Sequence, residues 1–530
     1  REILESPITG DDRIPPALTL RDRYGSINSM NVLMVTSEAV PFAKAGGLAD
    51  VVSSLSASLA ALPAASPAAE DLSCDVKVVM PLYGSVDRAG LKDTGTVLSV
   101  PDGYDEHELR LFEQTLPHTS VPVYFLENPA LFGRPGIYGE RDTPEYRDNP
   151  RRFSVLNRAV FELCRRLEWI PDVLHCHDWP SALAPAYLNG CEKTGAFRDT
   201  ASVFTIHNLG YQGLFSKHDI HYTGLYPEMF RDPDTPYKGI LNFLQTGLIH
   251  ADVLTTVSPT YAAEIQTPEH GFTMDKLLSR RKDDLFGILN GIDYEEWDPE
   301  HDPLIPFHFS HQNLTNKRKV KAFLQRKCGF PESETVPLVG MVSRLVEQKG
   351  FAELCGPGYG SLERICRDMD IQVVIIGTGE RWCEDELNRL RESLPNLHVF
   401  LEFNNRMAHL IEAGSDFFLM PSEYEPCGLN QLYSLRYGTL PIVNRTGGLA
   451  DTVVPYSDQS AVGDATGFHL DELTPEGIYQ TVKRVLTLYA ENPEQIQQMR
   501  VNAMQRRFSW ERSAHAYSDL YAKAVERKRE

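Results

Sequence analysis

Short runs of β-branched and other apolar residues recur along this chain, each followed by a stretch of helical length. The first series comprises Asn31–Ser37, Val76–Met80, Val123–Leu126, Val173–His177, Ser202–Ile206 and Val253–Val257. A second comprises Leu338–Ser343, Gln372–Ile376, His398–Leu401, Asp416–Met420 and Leu440–Val443. Near-continuous apolar strands alternating with helices predict parallel sheets covered on both faces. Two such series predict two α/β domains. The boundary is expected at 288–299, where ILNGIDYEEWDP carries Asn-Gly and Asp-Pro breaks. This divides the chain into a loose polar extension over 1–28, a first domain over 29–287, a hinge over 288–299 and a second domain over 300–505. Residues 506–530 predict a closing helix, read from Phe508 to Lys528. Ala57–Ala69 is rich in Ala, Ser and Pro and reads as a helix end running into a surface loop.

Length and composition narrow the class. At roughly 150 residues per domain, 530 residues suit two large domains or about three ordinary ones. A hydrophobic share of 42% with 24% charged residues is that of a globular enzyme. The formal net charge of −21 argues against a general binder of nucleic acid or anionic membrane, while leaving room for a local cationic pocket. No apolar run reaches the ~20 residues of a membrane span. The nine cysteines are scattered and include no C-x-x-C, so reduced thiols are expected.

The cofactor and nucleophile signatures G-x-G-x-x-G, G-x-x-x-x-G-K-[ST] and G-x-S-x-G are missing from the sequence, which disfavours a nicotinamide dehydrogenase, a P-loop ATPase and an elbow-type hydrolase. His175-Cys176-His177-Asp178 has metal-ligating residue types but no second cluster at ligand spacing, so strand-end packing is the better reading and neither metal nor cofactor is expected. One internal repeat stands out: KAGGLADVV from Lys44 and RTGGLADTV from Arg445. Each follows an apolar strand, opens a helix and carries a cation two residues before Gly-Gly. The glycines either make tight turns or let backbone N–H groups approach an anion or sugar; the paired cations favour the second reading.

Other chemistry-bearing residues fall at the expected carboxyl ends of strands, where open α/β sheets bind ligands. Asp178 ends one strand and His207, in the Gly-rich IHNLGYQG, ends the next. Arg344 and Lys349 lie in SRLVEQKG; an Arg fork with a Lys point charge suits a diphosphate, the alternative being a solvated basic pair. Glu425, in PSEYEPCGLNQ, either accepts hydroxyl hydrogen bonds and balances a developing cation or serves as a helix N-terminal carboxylate.

Together KAGGLADVV, HCHDW, HNLGYQG, NGID, VSRLVEQKG, EPCGL and RTGGLADTV resemble, in order, the bacterial glycogen synthases and plant starch synthases of glycosyltransferase family 5, from about Asn31 to Tyr521. The resemblance implies two Rossmann-like domains facing across a deep cleft, the GT-B fold, with a C-terminal helix returning to the first domain. It implies that Lys44, Gly46 and Gly47, with Asp50 in the same motif, meet the donor phosphates and the acceptor end. Asp178 and His207 are then expected to line the sugar site, and Asn290 to lie near the cleft. Arg344 and Lys349 are expected to hold the diphosphate, Glu425, Cys427 and Gly428 to contact the transferred glucose, and Thr446, Gly447 and Gly448 the phosphates. Phe403 occupies the place of an adenine-stacking aromatic. The chain departs from the family pattern in having Ala45 within the first motif. Tyr433 stands where many retaining transferases have a second Glu.

The implied activity is retaining transfer of glucose from ADP-glucose to the non-reducing end of an α-1,4-glucan, with that donor and acceptor as partners and neither nucleic acid nor membrane expected. Alternatives are a UDP-glucose or small-acceptor transferase, or a silent glucan-binding protein. The implied compartment is the cytoplasm, or a plastid if a transit segment has been removed.

Overall fold

The computed structural model describes residues 29–62, 73–140, 143, 145–233, 239–457 and 462–529. The extension expected over 1–28 and the loop over 63–69 lie outside them; the helix leading into that loop ends at Ala60.

The first domain is built on β1 (Ser29–Val35), β2 (Ser73–Pro81), β3 (Lys92–Pro101), β4 (Glu106–Thr115), β5 (Pro122–Glu127), β6 (Val173–His177), β7 (Ala201–Ile206), β10 (Val253–Thr256) and β11 (Leu285–Gly287). They form one sheet in the order β11-β10-β7-β6-β1-β2-β5-β4-β3. A separate short hairpin pairs β8 (Leu214–Ser216) with β9 (Ile240–Asn242). Pairing is parallel from β5 to β11, because helices cover both faces and the strands are apolar throughout; β6 and β7 are buried at every position. The antiparallel β3–β4 hairpin extends the edge. Its strands alternate buried Leu98 and Val100, Leu109 and Leu111 with exposed polar residues, so no continuous apolar run marks them in the sequence.

The second sheet takes the order β14-β13-β12-β15-β16-β17. Its strands are β12 (Leu338–Val342), β13 (Gln372–Ile376), β14 (Leu397–Phe400), β15 (Phe417–Met420), β16 (Leu440–Val443) and β17 (Phe468–His469). All are parallel. Numbered within the domain this is 3-2-1-4-5-6, the Rossmann order, whose direction of winding reverses between β12 and β15. The first sheet reverses in the same way between β1 and β6. A chain that winds outward in both directions leaves a crevice at the carboxyl ends of the two central strands. Each domain therefore offers one crevice, and the site below is built from both.

The connections between the domains run side by side. Ile292 donates its N–H to the Phe508 carbonyl at 2.9 Å, and the Phe508 N–H is held by the Tyr294 hydroxyl at 2.8 Å. The last helix, Trp510–Arg529, then packs on helix Gly47–Ala60 and on β6 and β7. Tyr517, Tyr521 and Val525 join the first domain's core, Ser513 caps the Leu289 carbonyl at 2.6 Å, and Lys528 binds Asn189 and Asp252. All nine cysteines are free thiols, eight of them buried. Among the described residues no helix is long and apolar enough to cross a membrane.

At the crossing a Cβ on Gly291 would lie 2.4 Å from the Trp510 nitrogen, backbone against backbone. Gly291→Ala is expected to cost about 1–3 kcal/mol through this overpacking. Thermal unfolding monitored by circular dichroism should show a lower Tm than the parent; an unchanged Tm would mean that the crossing yields freely.

Candidate active site

The loop after β1 and the second domain's switch point open on one cavity of about 350 Å³ between the domains; Asp178 and His207, after β6 and β7, are not among its lining residues. The first domain lines it with Lys44, Gly46, Gly47 and Asp50, which follow β1. The second contributes Arg344 and Lys349 after β12, Gly377 and Thr378 after β13, Phe403 after β14 and Ser422 after β15. Trp297, from the segment joining the two sheets, and Tyr433 complete one wall. Seven residues singled out from sequence thus share one space: Lys44, Gly46, Gly47, Asp50, Arg344, Lys349 and Phe403. Phe403 is 88% exposed, an aromatic face open to stacking.

The cations already have partners. Lys44 is 2.7 Å from Asp50. The Asp50 carboxyl titrates above its ordinary value because burial outweighs the nearby ammonium. Lys349 is ion-paired with Glu425, whose same oxygen also accepts from Ser422 Oγ at 3.1 Å. Glu425 therefore stands directly behind Lys349. Arg344 crosses the cleft to donate to the Tyr211 hydroxyl at 3.1 Å. Tyr211 belongs to the Gly-rich turn after β7 and is half exposed.

Asp178 and His207 meet at the ends of β6 and β7. Asp178 Oδ1 accepts the His207 N–H at 2.7 Å and lies 3.4 Å from that of Asn208. Its backbone is left-handed, with φ of 54°, a conformation strained for any residue but glycine and typical of functional turns. Burial raises its carboxyl to about 8 against the pull of the two backbone donors. His207 and His175 are pushed down to about 3 and His177 well below its ordinary value, chiefly by burial, so all three rings are neutral near pH 7. His175 is held by Thr205 and Tyr521 at 2.6 and 2.7 Å, which accounts for the first histidine of the HCHD cluster as packing. Asn290 is buried beside Cys427, whose thiol is raised to about 12 by burial and so stays protonated.

The two Gly-Gly copies differ. An added Cβ at Gly46 meets nothing within 4 Å. At Gly448 it would lie 2.0 Å from the Cys427 carbonyl, and at Gly447 2.0 Å from that of Glu425. The second pair is thus buried under the 425–428 loop, and the Gly448 N–H bonds the Glu425 and Pro426 carbonyls. Gly428 sits at φ of 70°, closing that loop. Neither first-glycine amide is free. Glu38 accepts from Ala45 and Gly46, the latter at 2.9 Å, and is held by Tyr138. Glu264 accepts from Gly447 N at 3.1 Å and from Thr446 Oγ1 at 3.2 Å. Sequence reasoning missed Glu38 and Glu264, because neither glycine nor a cation marks them; it also passed over Tyr211, although Tyr211 lies in the Gly-rich IHNLGYQG turn. Tyr433 puts an aromatic where a second carboxylate was considered. Its ring stacks on Trp297 at 3.7 Å, and His409 covers the opposite side at 3.8 Å.

Two facing Rossmann-ordered domains with a cationic, aromatic-rimmed cleft between their strand ends define a GT-B glycosyltransferase. Comparison with known proteins is specific. Residues 31–280 match the starch synthase catalytic domain and residues 326–506 the group 1 glycosyl transferases. A glycogen synthase of Treponema denticola is 48% identical over 94% of this chain and 99% of its own. Glycogen synthase 1 of Geobacter sulfurreducens is 42% identical over 94% and 97%. Among solved structures, the catalytic domain of Arabidopsis thaliana starch synthase IV, bound to ADP and acarbose, superposes with a TM-score of 0.83 at 29% identity, covering 94% of this chain and all of that one. This chain belongs to the glycogen and starch synthase family.

Gly46→Ala is expected to leave the Tm at the parental value, whereas Gly448→Ala should lower it by several degrees, since only the second Cβ meets backbone. Equal melting of the two variants would show that the two turns are packed alike. The histidine cluster also makes a pH prediction. An ordinary His binds a proton below about 6.5 once unfolded, but these rings stay neutral in the fold. Stability present above that pH should therefore fall as pH drops towards 3, by up to about 1.4 kcal/mol per pH unit for each ring. Urea unfolding of parent and His175→Asn at pH 7, 5.5 and 4.5 isolates one ring; parallel curves would mean that His175 takes up its proton in the folded state.

Proposed function

We propose that this protein is a glucan-elongating glucosyltransferase that transfers glucose, with retention, from ADP-glucose to the non-reducing end of an α-1,4-glucan, in the cytoplasm. The observation that carries this reading is the convergence of Lys44, Arg344 and Lys349 from two domains on one cavity rimmed by Phe403. Family membership and the ADP and acarbose of the Arabidopsis relative support the choice of donor and acceptor.

The chemistry follows from charge. Breaking the bond from glucose C1 to the diphosphate puts negative charge on phosphate and positive charge on C1. Arg344 and Lys349 oppose the first from the second domain and Lys44 from the first. A diphosphate arriving beside Lys349 shares it with Glu425, which places that carboxylate next to the sugar and its hydroxyls. Cys427 and Gly428 shape the glucose end, and Asn290 supports Cys427. Because Glu264 holds the Gly447 amide and backbone carbonyls hold that of Gly448, contacts from Thr446, Gly447 and Gly448 to phosphate require Glu264 to yield; the three cations carry the larger share. His207 and the carbonyls of its turn are assigned to the side of the developing cation, and Asp178, whose raised carboxyl accepts the His207 N–H, holds that turn in shape. A protonated Cys427 and an ion-paired Glu425 are poor covalent nucleophiles, which favours front-face displacement over a glycosyl-enzyme.

Incubation with ADP-[14C]glucose and glycogen tests the proposal, with UDP-glucose and a sugar-phosphate acceptor in parallel. Label in polymer from the ADP donor is the expected result. Equal efficiency with UDP-glucose would remove the assignment of base, and no transfer from either donor the assignment of activity. Arg344→Ala and Lys349→Ala should each lower kcat by about 10²- to 10³-fold, the loss on removing one preorganised charge-stabilising donor. Near-parental turnover in both would leave them a solvated basic pair.

A further inference from the structure

We propose that His177 is a positioning residue: it donates from Nδ1 to Nε2 of His207, fixes the tautomer of that ring and leaves the His207 Nδ1–H turned towards the sugar site. The inference rests on the reading above, in which His207 faces the transferred glucose.

The geometry has three parts. First, Nδ1 of His177 and Nε2 of His207 lie 3.0 Å apart, the separation of a hydrogen bond between the ends of two neighbouring parallel strands. Second, His177 has no freedom to be elsewhere. Its side chain is fully buried and its ring packs against His175 at a centroid distance of 4.1 Å. Ser181 holds its backbone from both sides, accepting the His177 N–H and donating to its carbonyl at 2.8 Å. Third, its other ring nitrogen, Nε2, is buried without a partner among the described residues.

These facts select one tautomer. Burial keeps both rings neutral, so the pair shares one bridging proton, and one ring donates while the other accepts. If His207 donated, the proton of His177 would sit on Nε2, a buried N–H with nothing to receive it. If His177 donates, Nε2 is a bare lone pair. Orphaned buried N–H groups are the rarer of the two, so the second arrangement is preferred. His207 then carries its own proton on Nδ1, which has no protein partner among the described residues, on a residue that is only part-buried. A neutral imidazole with a fixed outward N–H can donate to a sugar hydroxyl while adding no positive charge beside the cationic C1.

The test has two arms. Histidine-labelled protein without substrate, read by 15N–1H correlation through the imidazole ring, gives the tautomer directly. Protonation of His207 at Nδ1 in the parent, lost or mixed in His177→Leu, supports the proposal; protonation at Nε2 in the parent overturns it. In kinetics, His177→Leu should lower kcat by about 10²-fold, the scale of a misplaced reacting geometry, with little change in donor KM. His177→Asn, whose amide can put an N–H near the place of Nδ1, should recover most of that loss. The double variant His177→Leu/His207→Ala should be no slower than His207→Ala alone. Leu and Asn variants equally slow, or equally fast, would overturn the positioning role. His207→Ala at parental rate, with the tautomer as expected, would support the pairing and sink the wider reading of the site.

Discussion

A parallel strand buried on both faces can present chemistry only where it ends, because every residue along its length is committed to the core. In this chain that constraint acts twice. Both sheets reverse their winding between two central strands, β1 and β6 in one and β12 and β15 in the other, so each domain exposes one crevice at its carboxyl edge. The crossing of Ile292 with Phe508 sets those edges against one another. Lys44 and Asp50, Asp178 and His207, Arg344 and Lys349 all sit within a turn or two of a strand end. The convergence of Lys44, Asp50, Arg344 and Lys349 on one cavity is a consequence of topology before it is one of side-chain chemistry, while Asp178 and His207 meet each other outside its lining.

Charge is the second constraint. A protein with a net charge of −21 that holds a diphosphate must gather cations locally and keep them from being neutralised at rest. The structure partly neutralises them: Lys44 rests on Asp50, Lys349 on Glu425, and Arg344 on a neutral tyrosine. For Lys44 and Asp50 the pairing holds flexible side chains in place at modest cost, since half-exposed ion pairs are worth about 0–1 kcal/mol; Lys349 and Glu425 are more deeply buried. An incoming phosphate, with more charge and better geometry for an Arg fork, can displace or share these partners. Arg344, with no carboxylate to leave, is the most readily available of the three.

What the sequence makes legible follows from the same physics. The strands of both parallel sheets stand out because burial on two faces demands continuous apolar runs; β13 is expected and found at Gln372–Ile376, and β6 at Val173–His177. The β3–β4 hairpin is not legible in that way, since one face meets water and its strands read as mixed polar segments. Edge strands β11 and β17, of three and two residues, are too short to leave a pattern. In the site, glycines and paired cations mark the loops that approach the ligand space, and Lys44, Arg344, Lys349 and Phe403 are brought to one cavity. Glu38 and Glu264 leave no such mark, because a lone carboxylate in a helical or turn segment looks like any solvated surface residue. Trp297 lies in the expected hinge, but only the fold reveals that Tyr433 and His409 sandwich it.

The internal repeat shows how one local solution can serve two purposes. Gly46 and Gly447 are equivalent, and each gives its backbone N–H to a glutamate of the first domain. For Gly46 the glutamate is Glu38, from the turn after β1, so that contact stays within one domain. For Gly447 it is Glu264, at the end of helix Pro259–Glu264, so the contact spans the cleft. Beside it Asp451, the counterpart of Asp50, accepts from Thr260 Oγ1 at 2.6 Å rather than from the repeat's own cation. Where the first copy pairs Lys44 with Asp50 and remains open to the cavity, the second turns the same acid outward to join the domains. Its glycines are then needed for close packing under the 425–428 loop. The repeat therefore divides into a ligand-facing copy and a domain-joining copy, and a single carboxylate, Glu264, links the fit of the domains to the turn that carries Glu425.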